Sequence, residues 1–228
     1  MRTVFLIFLL TTVCGNFLIA QSPDVVFSHL GVKEGLSQNS VTAILQDSKG
    51  FMWFGTHDGL NKYDGNSFKT YRQERNNPNS ISNNYIWDLF EDTNGVLWIA
   101  TFGGGLNSLD LKTGVIERYS HQPNNPNSFP SNRIFSIFEG ENNILWIGAN
   151  EGLIRFDKQT KASQLFLATI SPEGILLDNY TGIVTADNTG NLWLRTDNGL
   201  THFNIQTKEP THYTHSPFSN EFQIGDIY

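Results

Sequence analysis

An indole-centred motif repeated four times, four short aromatic-rich runs per repeat and no 3.6-residue apolar period predict an all-β chain. Four short strands per repeat of this length make a β-propeller of four-stranded antiparallel blades. The 228 residues hold about four blades and the start of a fifth, so the propeller is expected to be incomplete. The motif reads Asp-x-x-Gly-x-x-Trp in "DSKGFMWFGTHDGLNKYDG", which begins at Asp47. It returns in "DTNGVLWIATFGGGLNSLD" from Asp92, "GENNILWIGANEGLIRFD" from Gly140 and "DNTGNLWLRTDNGLTHFN" from Asp187. The anchor indoles Trp53, Trp98, Trp146 and Trp193 follow one another at 45, 48 and 47 residues.

The first 20 residues, "MRTVFLIFLLTTVCGNFLIA", pair a single arginine with an apolar run of secretory length, and read as a signal peptide. An uncleaved anchor is the alternative. The only cysteine, Cys14, lies in this segment. Once the segment is removed, the chain has no disulfide, thiolate ligand or cysteine nucleophile.

The repeats occupy residues 25–228, with blades at about 36–72, 81–120, 129–167 and 177–214 and a fifth beginning near 220. In each, an inner strand a starts at Val41, Ile86, Ile134 or near Thr181, and runs to the Asp-x-x-Gly turn. Strand b carries the tryptophan, a Gly-Leu opens strand c, and "SFKTY", "VIERYS", "ASQLF" and "PTHY" form the outer strand d. Gly, Asn and Asp at every junction mark an antiparallel meander.

The motif itself reads as architecture. Asp47, Asp92 and Asp187 can bond their own turn backbone, and Gly50, Gly95 and Gly190 supply positive φ without a Cβ penalty. Each tryptophan, wedged between blades, removes about 150–250 Å² from water. That is worth roughly 4–6 kcal/mol as an upper bound. The third unit has Gly140 and Asn143 in place of the Asp and Gly. Asn tolerates the left-handed turn, whereas a catalytic or metal-ligating Asp at that position would be lost.

The units resemble two-component regulator propeller repeats. The resemblance rests on "GLSQNSVTAILQDSKGFMWFGTHDGLNKYDG" and on a linker, "NNPNS", present at Asn76–Ser80 and Asn124–Ser128. It implies a periplasmic sensor region of a hybrid two-component histidine kinase of Bacteroidetes type. It further implies an oligosaccharide ligand, a homodimer in the full-length protein, and an inner-membrane span and kinase that this chain does not encode. On that reading the chain is an N-terminal fragment without catalysis. The alternatives are a carbohydrate-active propeller enzyme of sialidase or lyase type, or a protein-interaction propeller without a small ligand.

Several chemistries lack their residues. The net charge is −7 and no Lys/Arg cluster occurs, so no nucleic-acid footprint is present. Sialidase motifs space Asp and Gly one residue closer, and the seven arginines here share no recurrent spacing. Among six histidines only His212 and His215 sit close in sequence, so neither a metal site nor a cofactor is expected. Ligand contacts are expected where the repeat breaks its own rule, on the face carrying the d–a and b–c loops. The candidates are Tyr85, Trp87, Arg133 and Tyr180 at the starts of inner strands, and His57, Asp58, Phe102, Glu151 and Asp197 in b–c loops.

Overall fold

The computed structural model describes residues 27–166, 182, 184–187, 189–196 and 199–214. The segment expected to be a signal peptide, the expected start of a fifth blade, Tyr180 and Asp197 therefore lie outside the described residues. Among the described residues sixteen strands form four antiparallel sheets, each a meander in chain order. Blade 1 holds β1 (Val41–Gln46), β2 (Met52–Thr56), β3 (Gly59–Tyr63) and β4 (Phe68–Tyr71). Blade 2 holds β5 (Ile86–Glu91), β6 (Val96–Thr101), β7 (Gly105–Asp110) and β8 (Ile116–Tyr119). Blade 3 holds β9 (Ile134–Glu139), β10 (Ile144–Ala149), β11 (Gly152–Asp157) and β12 (Ser163–Phe166). Blade 4 holds β13 (Val184–Ala186), β14 (Leu192–Thr196), β15 (Gly199–Phe203) and β16 (Pro210–Thr214). The only helical element among the described residues is a 3-10 turn at Val32–Glu34.

The inner strands neighbour one another as β1, β5, β9 and β13, so the blades stand side by side in an open arc. The core lies between sheets. Trp53 packs with Leu60, Ile86, Leu97 and Ile99 between blades 1 and 2. Trp98 packs with Leu106, Ile134, Leu145 and Phe156 between blades 2 and 3. Trp146 packs with Leu192, Leu194 and Phe203 between blades 3 and 4. These three indoles are at most 4% exposed, whereas Trp193, with no described blade beyond it, is half-buried. At the other end of the arc, β1 leaves Ile44 63% exposed. The burial of the indole thus comes from the next blade, not from its own.

The repeated aspartate holds both the turn and the indole. In blade 1 one carboxylate oxygen of Asp47 accepts the N–H groups of Lys49 and Phe51, and the other accepts the Trp53 indole N–H at 2.8 Å. Asp92 does the same with Asn94, Val96 and Trp98. Gly50, Gly95 and Gly190 stand at φ 87°, 77° and 83°. In blade 3, Asn142 and Asn143 take φ 56° and 63°, so the turn survives without Gly. A Cβ at Gly140 would come within 2.9 Å of the Trp146 indole, so this blade has no room for the carboxylate its neighbours use. In blade 4, Asp187 pairs with His202 at 2.9 Å, and the His202 ring lies 4.6 Å from Trp193.

Blades are also stitched by polar contacts. Glu91 at the end of β5 receives the Ser48 N–H and hydroxyl from blade 1, and Glu139 at the end of β9 receives those of Thr93 from blade 2. Lys158, from the β11–β12 turn, reaches back to Asp92 at 2.8 Å and to Glu139. Along the inner strands, each boundary between described blades has a bond from an inner-strand side chain to the next blade's backbone. Thr42 donates to Ile86 O, Asp88 accepts from Ile137 N–H, and Ser136 donates to Gly182 O.

Candidate functional site

Inner strands β1, β5 and β9 each break register near their start, between Val41 and Ala43, between Ile86 and Asp88, and opposite Gly148/Ala149. A bulge re-aims the side chain of the extra residue. In blade 2 that residue is Trp87, and in blade 3 the same register position, five residues before the turn's first residue, holds Phe135.

These two rings join the loop aromatics at one end of the inner strands. Trp87 stacks on Phe102 at 5.5 Å with the planes 29° apart, and meets Phe135 edge-on at 5.4 Å. Tyr85 lies 5.6 Å from Trp87, 5.4 Å from Phe102 and 4.1 Å from the His57 ring. The Arg133 guanidinium sits 5.3 Å over Phe102. Each such contact adds about 0.5–1.5 kcal/mol to the area term and fixes ring orientation. Phe135 is buried; Tyr85, Trp87 and Phe102 keep exposed edges, and His57 and Arg133 are exposed.

The backbone that presents these rings is built by the repeat. Gly59 N–H of the first b–c turn donates to Asn84 O, and Gly103 and Gly105 N–H of the second donate to Asn132 O. The Asn84 and Asn132 side chains accept the N–H groups of Gln73 and His121, holding each d–a loop to the end of the preceding outer strand. Phe102 N–H donates to Tyr85 O, and Phe102 bridges to Arg133 of the next blade. A Cβ on Gly104 would lie 2.4 Å from the Ser82 hydroxyl and 2.8 Å from backbone. The extra glycine of this turn is what lets the loop close against its neighbour.

Of the sequence-predicted candidates, five meet in this cluster: His57, Tyr85, Trp87, Phe102 and Arg133. Asp58 lies beside it but is held in an ion pair with Arg72 at 3.0 Å. Glu151, in the third b–c turn, is half-buried, and its Oε2 has no hydrogen-bond partner among the described residues. Sequence reasoning missed Phe135 and Asp88. Aligning the inner strands on the turn would have found Phe135, because it shares the Trp87 position. Asp88 carries no sequence signal beyond being acidic in an apolar strand.

Asp88 faces the boundary of blades 2 and 3 next to Trp87, and its hydrogen-bond donors are the N–H groups of Leu89 and Ile137. Burial pushes its carboxyl up to about 6, against the lowering effect of those two donors. A folded pKa above the unfolded value means that stability falls as pH rises from about 4 to about 6. The ionised form then costs about 2–3 kcal/mol at neutral pH. Asp88→Asn keeps the acceptor for Ile137 and removes the charge. It is expected to raise stability by about 1–2 kcal/mol at pH 7.5 and to flatten the slope between pH 4 and 6, as read by urea unfolding across that range.

A separate groove of about 640 Å³ lies under the second "NNPNS" linker, between Pro123–Ser128 and the β12 residues Ser163 and Leu165. None of the cluster's aromatic residues lines it. In the first copy of the linker, Arg118 donates to Asn77 O, Ser80 O and the Ser80 hydroxyl. By cross-strand register Leu165 takes the place of Arg118 in blade 3, which leaves the second linker without that clamp. Among the described residues no group of His, Cys, Asp and Glu is arranged to hold a metal ion, and no helix is long and apolar enough to cross a membrane.

A family model described as "two component regulator propeller" matches residues 35–58, 80–103 and 128–151. Each match runs from the loop before an inner strand to the b–c turn, the stretch that carries the cluster. Histidine kinase P4 of Formosa agariphila is 49% identical over 63 residues, 28% of this chain and 5% of that protein. The extracellular domain of a hybrid two-component system of B. thetaiotaomicron superposes with a TM-score of 0.62 at 27% identity, covering 81% of this chain and 31% of the other. A second such domain from that organism gives 0.66 at 26%, covering 82% and 27%. The chain therefore spans less than a third of the length of each of these three proteins. A streptogramin B lyase, at 15% identity and a TM-score of 0.58, shares the fold alone. In repeats and blade geometry the chain is thus similar to two component regulator propellers, with a match in each of its first three blades.

Proposed function

We propose that this chain is part of the extracytoplasmic sensing propeller of a hybrid two-component signalling protein, and that it receives an oligosaccharide on the aromatic cluster around Trp87. The observation that carries the ligand reading is the cluster itself. Three rings with exposed edges gather at one blade boundary, on residues that break the repeat, and at the loop end of the inner strands. The anchor indole repeats in every blade; these three rings do not. Flat faces of Trp and Tyr suit the apolar faces of a sugar ring, and their two torsions cost little entropy on ordering.

The mechanism is population shift. A ligand that binds one arrangement of blades 2 and 3 more tightly biases the propeller toward it, and a membrane-spanning kinase dimer reads the change. The homodimer, the periplasmic location and the membrane anchor belong to the full-length protein. Catalysis is not part of the reading.

Thermal-shift measurements against an oligosaccharide panel test it. A concentration-dependent rise is expected for at least one sugar, since a ligand that binds only the folded state stabilises it as RT ln(1 + [L]/Kd). Trp87→Ala is expected to abolish the rise while leaving the fold, because Trp87 is only half-buried. Glycan cleavage in the same samples would replace the sensor reading with an enzyme.

A further inference from the structure

Resting on the saccharide reading of the cluster, we infer that Arg133 makes this a site for acidic oligosaccharides, with the guanidinium receiving a carboxylate of the sugar stacked beside it. Arg133 is exposed, yet its guanidinium is parked over the Phe102 ring at the edge of the platform formed by Tyr85, Trp87 and Phe102. The isolated bridge between Phe102 and Arg133 fixes its backbone, and Asn150 N–H holds the Arg133 carbonyl. A stacked guanidinium keeps its N–H groups free in the ring plane, where a planar carboxylate can be met by two parallel bonds.

The surrounding charges leave that capacity unused. The ion pairs among the described residues join Arg72 with Asp58, Lys158 with Asp92 and Glu139, Lys161 with Glu117, and His202 with Asp187. Arg133 is in none of them. Neither acidic residue of the described b–c loops forms an ion pair with it. Asp58 is bound to Arg72, and Glu151 directs Oε2 into a buried position. In a chain of net charge −7, a cation with no carboxylate partner among the described residues, at the rim of an aromatic platform, marks the sign of what binds there. Such a position discriminates against a neutral sugar, which leaves the guanidinium with water, and against a cationic one, which it repels.

Trigalacturonate, its fully methyl-esterified counterpart and a sulfated galactotriose are the probes, titrated calorimetrically into the whole chain at low and at 0.5 M salt. Trigalacturonate is expected to bind at least ten-fold more tightly than the ester, with the ratio shrinking at high salt. Arg133→Gln should bring the two affinities together, Arg133→Lys should recover only part of the difference, and Trp87→Ala should weaken both. Stronger binding of the sulfated probe than of the uronate, again lost in Arg133→Gln, would keep the acidic-sugar assignment and move the recognised group to sulfate. Equal affinities for acid and ester, or a ratio unchanged by Arg133→Gln, overturn the inference while leaving the saccharide site standing. Binding of none of the three probes, nor of any sugar in the wider panel, overturns both.

Discussion

Trp98→Ala is expected to cost about 3–5 kcal/mol, the range for truncating a large buried aromatic. The indole is 2% exposed and lies between blades 2 and 3, edge-on to Phe156 at 5.7 Å and near Tyr119 at 6.0 Å. Its N–H is held by Asp92 at 3.0 Å. Truncation therefore leaves a cavity and also strips a buried carboxylate of one donor. A domain of this kind has only about 5–15 kcal/mol to lose, so the variant should unfold at much lower urea. Trp193→Ala is the internal comparison. That residue holds the same motif position but is half-buried, and it is expected to cost about 1 kcal/mol. Equal losses for the two variants would mean that the next blade does not supply the burial.

Lys158→Met should destabilise by about 3–5 kcal/mol at neutral pH, the usual result of removing one partner from a buried ion pair. The Lys158 side chain is 7% exposed, and those of Asp92 and Glu139 are 1% and 15% exposed. Burial alone would push the Asp92 carboxyl up. Hydrogen bonds from Lys158, the Trp98 indole and the turn N–H groups outweigh it and hold the carboxyl below its ordinary value. A depressed carboxylate contributes stability above its unfolded pKa, near 4, and loses it as pH falls through the lower folded value. The gap between wild type and Lys158→Met should accordingly be full at pH 7 and should narrow below about pH 4. Urea unfolding at pH 3.5, 5 and 7 reads this directly. A gap that stays constant with pH would assign the loss to the packing of the lysine's methylenes instead.

Much of this arrangement was legible in one dimension. Spacing of the indoles gave the repeat, and the turn residues gave the strand ends. Gly59, Gly105, Gly152 and Gly199 each open the third strand of a blade, as the Gly-Leu signal implied. The asparagines standing in for Gly in the third turn take the positive φ their chemistry allows. These signals are local, because turn geometry and side-chain alternation depend on residues a few positions apart. Five of the candidate residues could likewise be nominated as departures from the repeat, and they fall in one cluster.

What the sequence determined alone was therefore the blade: its four strands, its turns and its anchor indole. Tertiary structure decided what lies between blades. It set which carboxylate Lys158 reaches 66 residues away, that a half-buried Asp88 would accept a bond from blade 3, that Phe135 would join Trp87, and that Arg133 would rest on a ring contributed by the preceding blade. Those contacts join residues that are neighbours only after whole sheets have packed. No local pattern encodes them, because their energies come from desolvation and ring geometry that the isolated blade does not have.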